Sequence, residues 1–324
     1  MKLRKLGNTD LEIAPLSFGC NVFGWTADEK MSFKLLDKCV DSGINLLDTA
    51  DVYPVWHPGN VGGESEAIIG NWLKKSGKRD KVLIATKVGM KMEKNLGCAG
   101  LKKDYIIKSV EDSLKRLGIE TIDLYQAHTD DKDTPLEETL ETFNELVKQG
   151  KVRYIGASNY KSERLAEALK ISKENNLVRF ESLQPEYNLY VREDYETGVE
   201  ELCARENLGV ITYFSLASGF LTGKYHSKED MAQSARGKRL EKYMNDRGFK
   251  IVEALHEVAK EYSANAAQIA LAWLMHRPSV TAPIASATNL YQMNDLVAAC
   301  ELQLSKEAIE KLNIASKYPA SVSS

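Results

Sequence analysis

The stretch "LLDTADVY", Leu46 to Tyr53, decides how the chain is read. It continues the apolar run "INLL" of a fully buried strand and closes it with a carboxylate, Asp48. A charge at the exit of a buried strand needs a partner or a ligand. Taken alone, the stretch also fits a cap, with Asp48 or Thr49 starting a turn or helix and Tyr53 packed as core. What separates the two readings is that later strands end in polar residues in the same way.

Outward from this stretch, one unit recurs. Upstream, "PLSFG" reads as a short strand ending at Gly19, and "TADEKMSFKLLDKCVDSG" as a helix with a capping signal and a terminal glycine. Downstream, "ESEAIIGNWLKKS" predicts a helix near 64–76. Strands "KVLIATK", "TIDLYQAH", "VRYIGASN" and "FESLQPEY" then precede helices near 103–117, 135–149, 161–175 and 193–207. "GVITYFSL" opens a long polar segment, 217–246, with helices near 247–261 and 264–276 behind it. "SVTAPIAS" leads into a helix near 289–300. Residues 2–6 and 11–13, flanking the turn-rich "GNTD", read as a β-hairpin before the main body, and "EAIEKLNIASKYPA" as a last surface helix and tail. Repeated βα units predict a parallel sheet. Eight of them in this length predict a closed (β/α)₈ barrel, the TIM barrel, of about 250 residues plus insertions. The structural rival, an open doubly wound sheet, would carry a Gly-rich first turn, and no GxGxxG follows any strand. No linker or composition break divides the chain, so residues 1–324 are read as one domain.

Composition narrows the class. The 324 residues are 43% hydrophobic and 27% charged, with a net charge of −3, which gives no field to recruit nucleic acid or an anionic membrane. Cys20, Cys39, Cys98, Cys203 and Cys300 are scattered, odd in number and without a CxxC pair, so neither a disulfide framework nor a zinc site is expected. The basic start "MKLRKLGNTD" lacks an apolar signal region, and no apolar run approaches the ~18 residues of a membrane span. A reduced, cytoplasmic protein is the expectation.

The polar residues at or just past the strand ends are Asp48, Lys87, His128, Asn159, Gln184 and Tyr213. In a barrel they converge on one rim, the face that also receives the long connections 54–63, 89–101 and 217–246. A lone histidine there reads as a satisfied core or surface residue and a lone lysine as a snorkelling one; their joint placement beside Asp48 and Tyr53 is what points to chemistry. A tyrosine titrates near pH 10, and an adjacent ammonium is expected to lower that value. Asp48 would hold Lys87 in place, and His128 would orient a carbonyl oxygen. The result is a general acid–base tyrosine aimed at one oxygen atom, suited to carbonyl/alcohol interconversion with a hydride from a cofactor. Asn159 and Gln184 offer the donor and acceptor pair that a nicotinamide carboxamide needs. Tyr213 is placed to stack on the ring. Ser286, Thr288 and Asn289 lie at a helix N-terminus suited to phosphate, with Lys224 and Arg236 as nearby charge from a segment that reads either as a solvated loop or as a lid.

These residues resemble the aldo-keto reductases, nearly end to end. The family's Asp, a Tyr five residues later, and a Lys and a His on the next strands match "LLDTADVY", "IATK" and "YQAH". The resemblance implies a catalytic set of Asp48, Tyr53, Lys87 and His128, with Tyr53 the proton donor. "GASN" and "LQPEYN" imply Ser158, Asn159 and Gln184 at the carboxamide. "TYFSLASGFLTGKY" implies Tyr213, Ser215, Leu216, Ser218, Gly219 and Lys224 along the ring and pyrophosphate. "PIASATNLYQ" implies Ser286, Thr288, Asn289 and Gln292 at the adenosine phosphate. It further implies NADPH-dependent reduction of aldehydes and ketones, and "GGESEAIIG" and "SGFLTGKY" resemble the bacterial members related to potassium-channel β subunits. Relatives often carry an Arg near position 289, where Asn289 stands here, so NADH is kept as the alternative cofactor. Trp25, Trp56, Tyr53 and His128 are expected to wall the substrate pocket, with plain packing beneath loops as the other reading of the two tryptophans. Two rival functions remain: a redox-sensing or partner-binding module that holds NADPH and turns over slowly, and a barrel isomerase or aldolase with Lys87 as a Schiff-base nucleophile.

Overall fold

In the computed structural model, which describes residues 1–90, 100–227, 230 and 237–318, eight parallel strands close into a barrel. A two-stranded antiparallel hairpin, β1 (Arg4–Lys5) and β2 (Glu12–Ile13), precedes them. The barrel strands run in order round the ring: β3 (Ser17–Gly19), β4 (Leu46–Asp48), β5 (Leu83–Val88), β6 (Ile122–Ala127), β7 (Val152–Ser158), β8 (Phe180–Gln184), β9 (Gly209–Thr212) and β10 (Ala282–Ala285), which pairs back onto β3. All eight are the strands the sequence predicts. Among the described residues no helix is long and apolar enough to cross a membrane.

Alternation along these strands builds two cores. Leu46, Ala85, Leu124, Ile211, Ala282 and Ile284 point into the barrel and pack on Leu6, Leu11 and Ile13 of the hairpin region, which plug the bottom. The residues between them, such as Leu47, Ile84 and Tyr125, face outward onto the helices. Helices α1 (Glu29–Asp41), α2 (Glu64–Ser76), α3 (Lys103–Leu117), α4 (Leu136–Lys148) and α5 (Ser162–Glu174) match the predicted units within a residue or so. The single helix expected over 193–207 is instead two, α6 (Glu193–Glu196) and α7 (Val199–Arg205). They part at Gly198, whose φ of 89° lies outside the helical range. The 217–246 segment carries a 3₁₀ turn (Ala217–Thr222), the short helix α8 (Gly237–Leu240) and a second 3₁₀ turn (Glu241–Tyr243). Beyond it lie α9 (Asp246–Glu261), α10 (Ala266–Met275), α11 (Leu290–Ala299) and α12 (Lys306–Ala315).

The "GGESEAIIG" segment is a bracket between the barrel and α3. Glu66, fully buried, accepts from Arg116 Nε (2.7 Å) and Thr86 Oγ1 (2.6 Å). Ser65 Oγ joins Thr49 Oγ1 and the Cys20 carbonyl, both at 2.8 Å. Gly70 lets α2 press on the end of α3, where a Cβ would run into the Arg116 carbonyl.

Candidate active site at the strand ends

The same alternation that fills the barrel bottom with Leu46, Ala85 and Leu124 brings Asp48, Lys87 and Gln126 inward one step higher. Ser158, Gln184 and Tyr213 share that inward register on β7, β8 and just past β9, and His128 follows Gln126 by two residues. A ring of apolar side chains thus carries a ring of polar ones.

Lys87 is fully buried and Asp48 is 4% exposed. Lys87 Nζ donates to Asp48 Oδ2 (2.7 Å), to the Thr49 carbonyl (2.8 Å) and to the Tyr53 hydroxyl (3.4 Å). The other carboxylate oxygen, Asp48 Oδ1, accepts from Gln184 Nε2 (2.9 Å) and Gln126 Nε2 (3.4 Å). Burial disfavours the Lys87 ammonium, yet Asp48 and then Tyr53 hold its pKa above the ordinary lysine value. For Tyr53 the balance is the reverse of the sequence expectation. Burial outweighs the Lys87 charge, so the phenol pKa is raised and the hydroxyl stays protonated at neutral pH. Asp48 adds to that rise.

His128 packs edge-on against Tyr53, ring centroids 5.6 Å apart. Its Nδ1 is buried and has no hydrogen-bond partner among the described residues. Burial, and after it the Lys87 charge, pushes its pKa well below the usual histidine value, so the ring is neutral. The consequence for stability has a definite sign. An unfolded histidine takes up its proton near pH 6.5, the folded one only well below that, so stability is present above about pH 6.5 and is lost as pH falls towards the folded pKa. Urea unfolding of the wild type should therefore lose up to about 1.4 kcal/mol per pH unit below that point relative to His128→Gln. Parallel pH curves for the two proteins would place the buried histidine elsewhere than in this balance.

Tyr53 is held by its own turn. Thr49 N–H donates to the Ala85 carbonyl (2.8 Å) and Asp51 N–H to the Lys87 carbonyl (3.2 Å), hanging the turn on β5. The Tyr53 carbonyl accepts from Ser65 N–H (3.2 Å), so the "GGESEAIIG" bracket fixes the tyrosine from the helix side. Asp51, in the same turn, is fully buried, and burial followed by Glu66 pushes its carboxyl far up from the usual range.

Of the expected cofactor residues, Ser158, Asn159, Gln184 and Tyr213 meet in one connected group. Asn159 Nδ2 donates to the His128 carbonyl (2.9 Å) and Ser158 Oγ (3.0 Å), Ser158 Oγ donates to the Gln184 carbonyl (3.0 Å), and Tyr213 OH donates to Asn159 Oδ1 (2.7 Å). Ser215 is turned back onto Thr212, donating to its carbonyl (3.1 Å). Leu216 (φ −104°, ψ 19°) is followed by Ala217, Ser218 and Gly219 at φ of 48°, 59° and 96°. The turn closes on itself, Ala217 N–H donating to the Phe214 carbonyl (2.6 Å) and Gly219 N–H to the Leu216 carbonyl (2.8 Å). Beside the turn is a cavity of about 510 Å³ lined by Phe214, Ser218, Arg239, Glu241, Lys242 and Tyr243. Lys224 is exposed, with Nζ 5.0 Å from the Tyr225 ring centroid, and Arg236 lies outside the described residues. At α11, Asn289 caps the helix by accepting from Gln292 N–H (2.9 Å), while Gln292 Oε1 accepts from Thr288 N–H (2.8 Å) and Oγ1 (3.1 Å). Ser286 Oγ donates to Asn21 Oδ1 (2.6 Å). Two members of the polar ring, Gln126 and Asn21, were absent from the sequence reading. Gln126 carries a legible signal, its inward register two residues past Leu124.

Trp25 and Trp56 stand on neighbouring rim loops with ring centroids 5.7 Å apart, and Trp56 lies 5.5 Å from Tyr53.

The C-terminal rim of the closed parallel barrel thus gathers a buried Asp–Lys pair, a tyrosine and a histidine that burial keeps neutral. The chain belongs to the aldo/keto reductase family: its family model matches residues 15–317. The chain is 35% identical over 319 residues to the "Uncharacterized oxidoreductase YrpG" of Bacillus subtilis, covering 97% of this chain and 95% of the relative. It is 32% identical to a "Probable voltage-gated potassium channel subunit beta" of Oryza sativa, covering 96% and 95%. The "Aldo-keto reductase yakc [NADP(+)]" of Schizosaccharomyces pombe is 28% identical over 98% of this chain and 94% of its own length.

Proposed function

We propose that this protein is an NADPH-dependent reductase of aldehydes and ketones, with Tyr53 as proton donor. The observation that carries the reading is the position of Lys87 Nζ, bonded to Asp48 and within 3.4 Å of the Tyr53 hydroxyl in a site where His128 is neutral. A nicotinamide dinucleotide, when bound, would supply the hydride that the carbonyl carbon receives. The protein's residues manage the oxygen. Tyr53 delivers its proton to the carbonyl oxygen as charge develops there, and the Lys87 ammonium stabilises the phenolate left behind. Asp48, fixed by Gln126 and Gln184, keeps Lys87 aimed at the tyrosine. Neutral His128 offers an N–H to the carbonyl oxygen and so orients it.

The residues present fit a nicotinamide dinucleotide. The Asn159 amide and the Tyr213 ring meet at the site's edge, and the cavity beside the 216–219 turn, lined by Ser218, Arg239, Glu241 and Lys242, is the place we assign to the pyrophosphate, with Arg239 as its cation. At α11, Ser286, Thr288, Asn289 and Gln292 are the residues for the adenosine phosphate, and the NADP(+) in the name of the Schizosaccharomyces relative supports NADPH over NADH. The test is a panel of aldehydes and ketones run with NADPH and with NADH, followed by the near-ultraviolet absorbance of the reduced nicotinamide. Steady consumption of NADPH by at least one carbonyl class supports the reading. Tight NADPH retention without turnover across the panel would favour the sensor or partner-binding role, for which the Oryza relative's name is the supporting observation.

A further inference from the structure

We propose that Asn60 is a specificity-determining residue: it clamps the two rim loops that carry Trp25 and Trp56 into a preset aromatic corner over Tyr53, which selects flat, ring-bearing carbonyl compounds. This inference rests on the reductase reading above and names the substrate class of the same site.

The loop after Tyr53 is a chain of tight turns. Val55 N–H donates to the Val52 carbonyl (2.8 Å), His57 N–H to the Pro54 carbonyl (3.1 Å), and Asn60 N–H to the His57 carbonyl (3.1 Å). At its far end the Glu64 carboxylate accepts from Val61 N–H (2.7 Å) and Gly62 N–H (3.1 Å), tying the loop to the start of α2. These bonds shape the loop but do not reach the loop after β3, where Trp25 sits. Asn60 does. Its Nδ2 donates to the Gly24 carbonyl (3.0 Å), next to Trp25, and to the Pro54 carbonyl (3.3 Å), two residues before Trp56. One amide nitrogen therefore spends both hydrogens on joining the Gly24 carbonyl of one loop to the Pro54 carbonyl of the other.

The rings follow. Trp25 and Trp56 meet edge to face at 83°, Trp56 and Tyr53 at 63°, and Tyr53 and His128 at 77°. Each ring in this run is turned steeply to the next, and on the proposal their outer side forms a corner that offers a ligand both faces and edges. A flat conjugated ring gains both a face and an edge contact in such a corner, whereas a short flexible chain gains neither. Trp56, at 37% exposed, keeps surface free for a ligand. The Asn60 amide adds a polar tie between the two loops to the contact of the tryptophan rings themselves.

The chemistry of the clamp gives a sharp variant. Asn60→Asp has the same size but no N–H to give to either carbonyl, and its charge repels them; Asn60→Ala removes the bridge without repulsion. The full-length protein with NADPH is assayed with 4-nitrobenzaldehyde as the ring-bearing probe and butanal as the compact one. For both variants KM for the nitrobenzaldehyde should rise about three- to ten-fold, the range one aromatic contact supports, with kcat for butanal unchanged. The near-ultraviolet circular dichroism of the coupled tryptophans should weaken in the absence of any substrate. Equal changes for the two aldehydes, no change for either, or an unaltered tryptophan signal would overturn the assignment of Asn60. A wild-type protein that reduces neither aldehyde nor any other carbonyl would instead remove the reductase reading, and the tryptophan signal would still decide whether Asn60 sets the corner.

Discussion

Replacing Tyr53 with Phe is expected to lower NADPH-dependent aldehyde turnover by about 10²–10⁴-fold, the contribution of one positioned general acid, with cofactor affinity unchanged. The hydroxyl is the single atom group that the substitution removes. The ring itself packs against Trp56 and His128, contacts that phenylalanine keeps. Stopped-flow turnover separates the two effects from fluorescence titration with NADPH. Burial raises the Tyr53 pKa, so in the reductive direction the proton is in place throughout the neutral range and the rate should fall only in alkali. In the oxidative direction the same residue must first lose its proton to accept one from the alcohol, so that rate should climb as pH rises towards the raised pKa. Opposite pH limbs for the two directions, both flattened in Tyr53→Phe, are the signature. Comparable turnover in the variant would remove Tyr53 as proton donor.

The barrel was legible because its strands are buried on both faces, which leaves continuous apolar runs, and because each is followed by a capped helix. The polar ring was legible for a related reason: "LIATK" and "LYQAH" end in residues that packing alone does not call for. Reading only the last residue of each strand, however, passed over Gln126, which shares Asp48 Oδ1 with Gln184. The two-residue alternation from Leu124 to Gln126 would have found it. The split at Gly198 was missed because a helical pattern on both sides hides a residue whose φ is positive. The direction of the Tyr53 shift was not legible at all. An ammonium beside a phenol lowers its pKa in water, and only the depth of burial, a property of the assembled rim, reverses the sign. The tie between the two rim loops was equally hidden, since nothing in "HPGNVGG" says that one amide reaches the Gly24 carbonyl.

The second large effect concerns the buried pair beneath the tyrosine. Lys87→Met is expected to cost about 3–5 kcal/mol of stability, because it leaves the Asp48 carboxylate buried with two amides and no cation. The Thr49 carbonyl loses its Lys87 donor in the same step. Asp48→Asn alone should also destabilise, by leaving an ammonium without its counter-charge in a site that excludes water. Combining the two removes both charges, and the double variant should regain much of the loss, because a neutral amide beside a thioether no longer has a charge to bury. Urea midpoints at constant slope measure all four corners of this cycle. Activity should behave differently. If Lys87 acts on the Tyr53 phenolate, carbonyl reduction stays lost in the double variant although the fold is restored, since nothing remains to stabilise the charge left on Tyr53. A double variant that recovers stability and turnover together would reduce Lys87 to a packing element. Additive losses in the cycle would show that the 2.7 Å contact between Lys87 and Asp48 carries no coupling of its own.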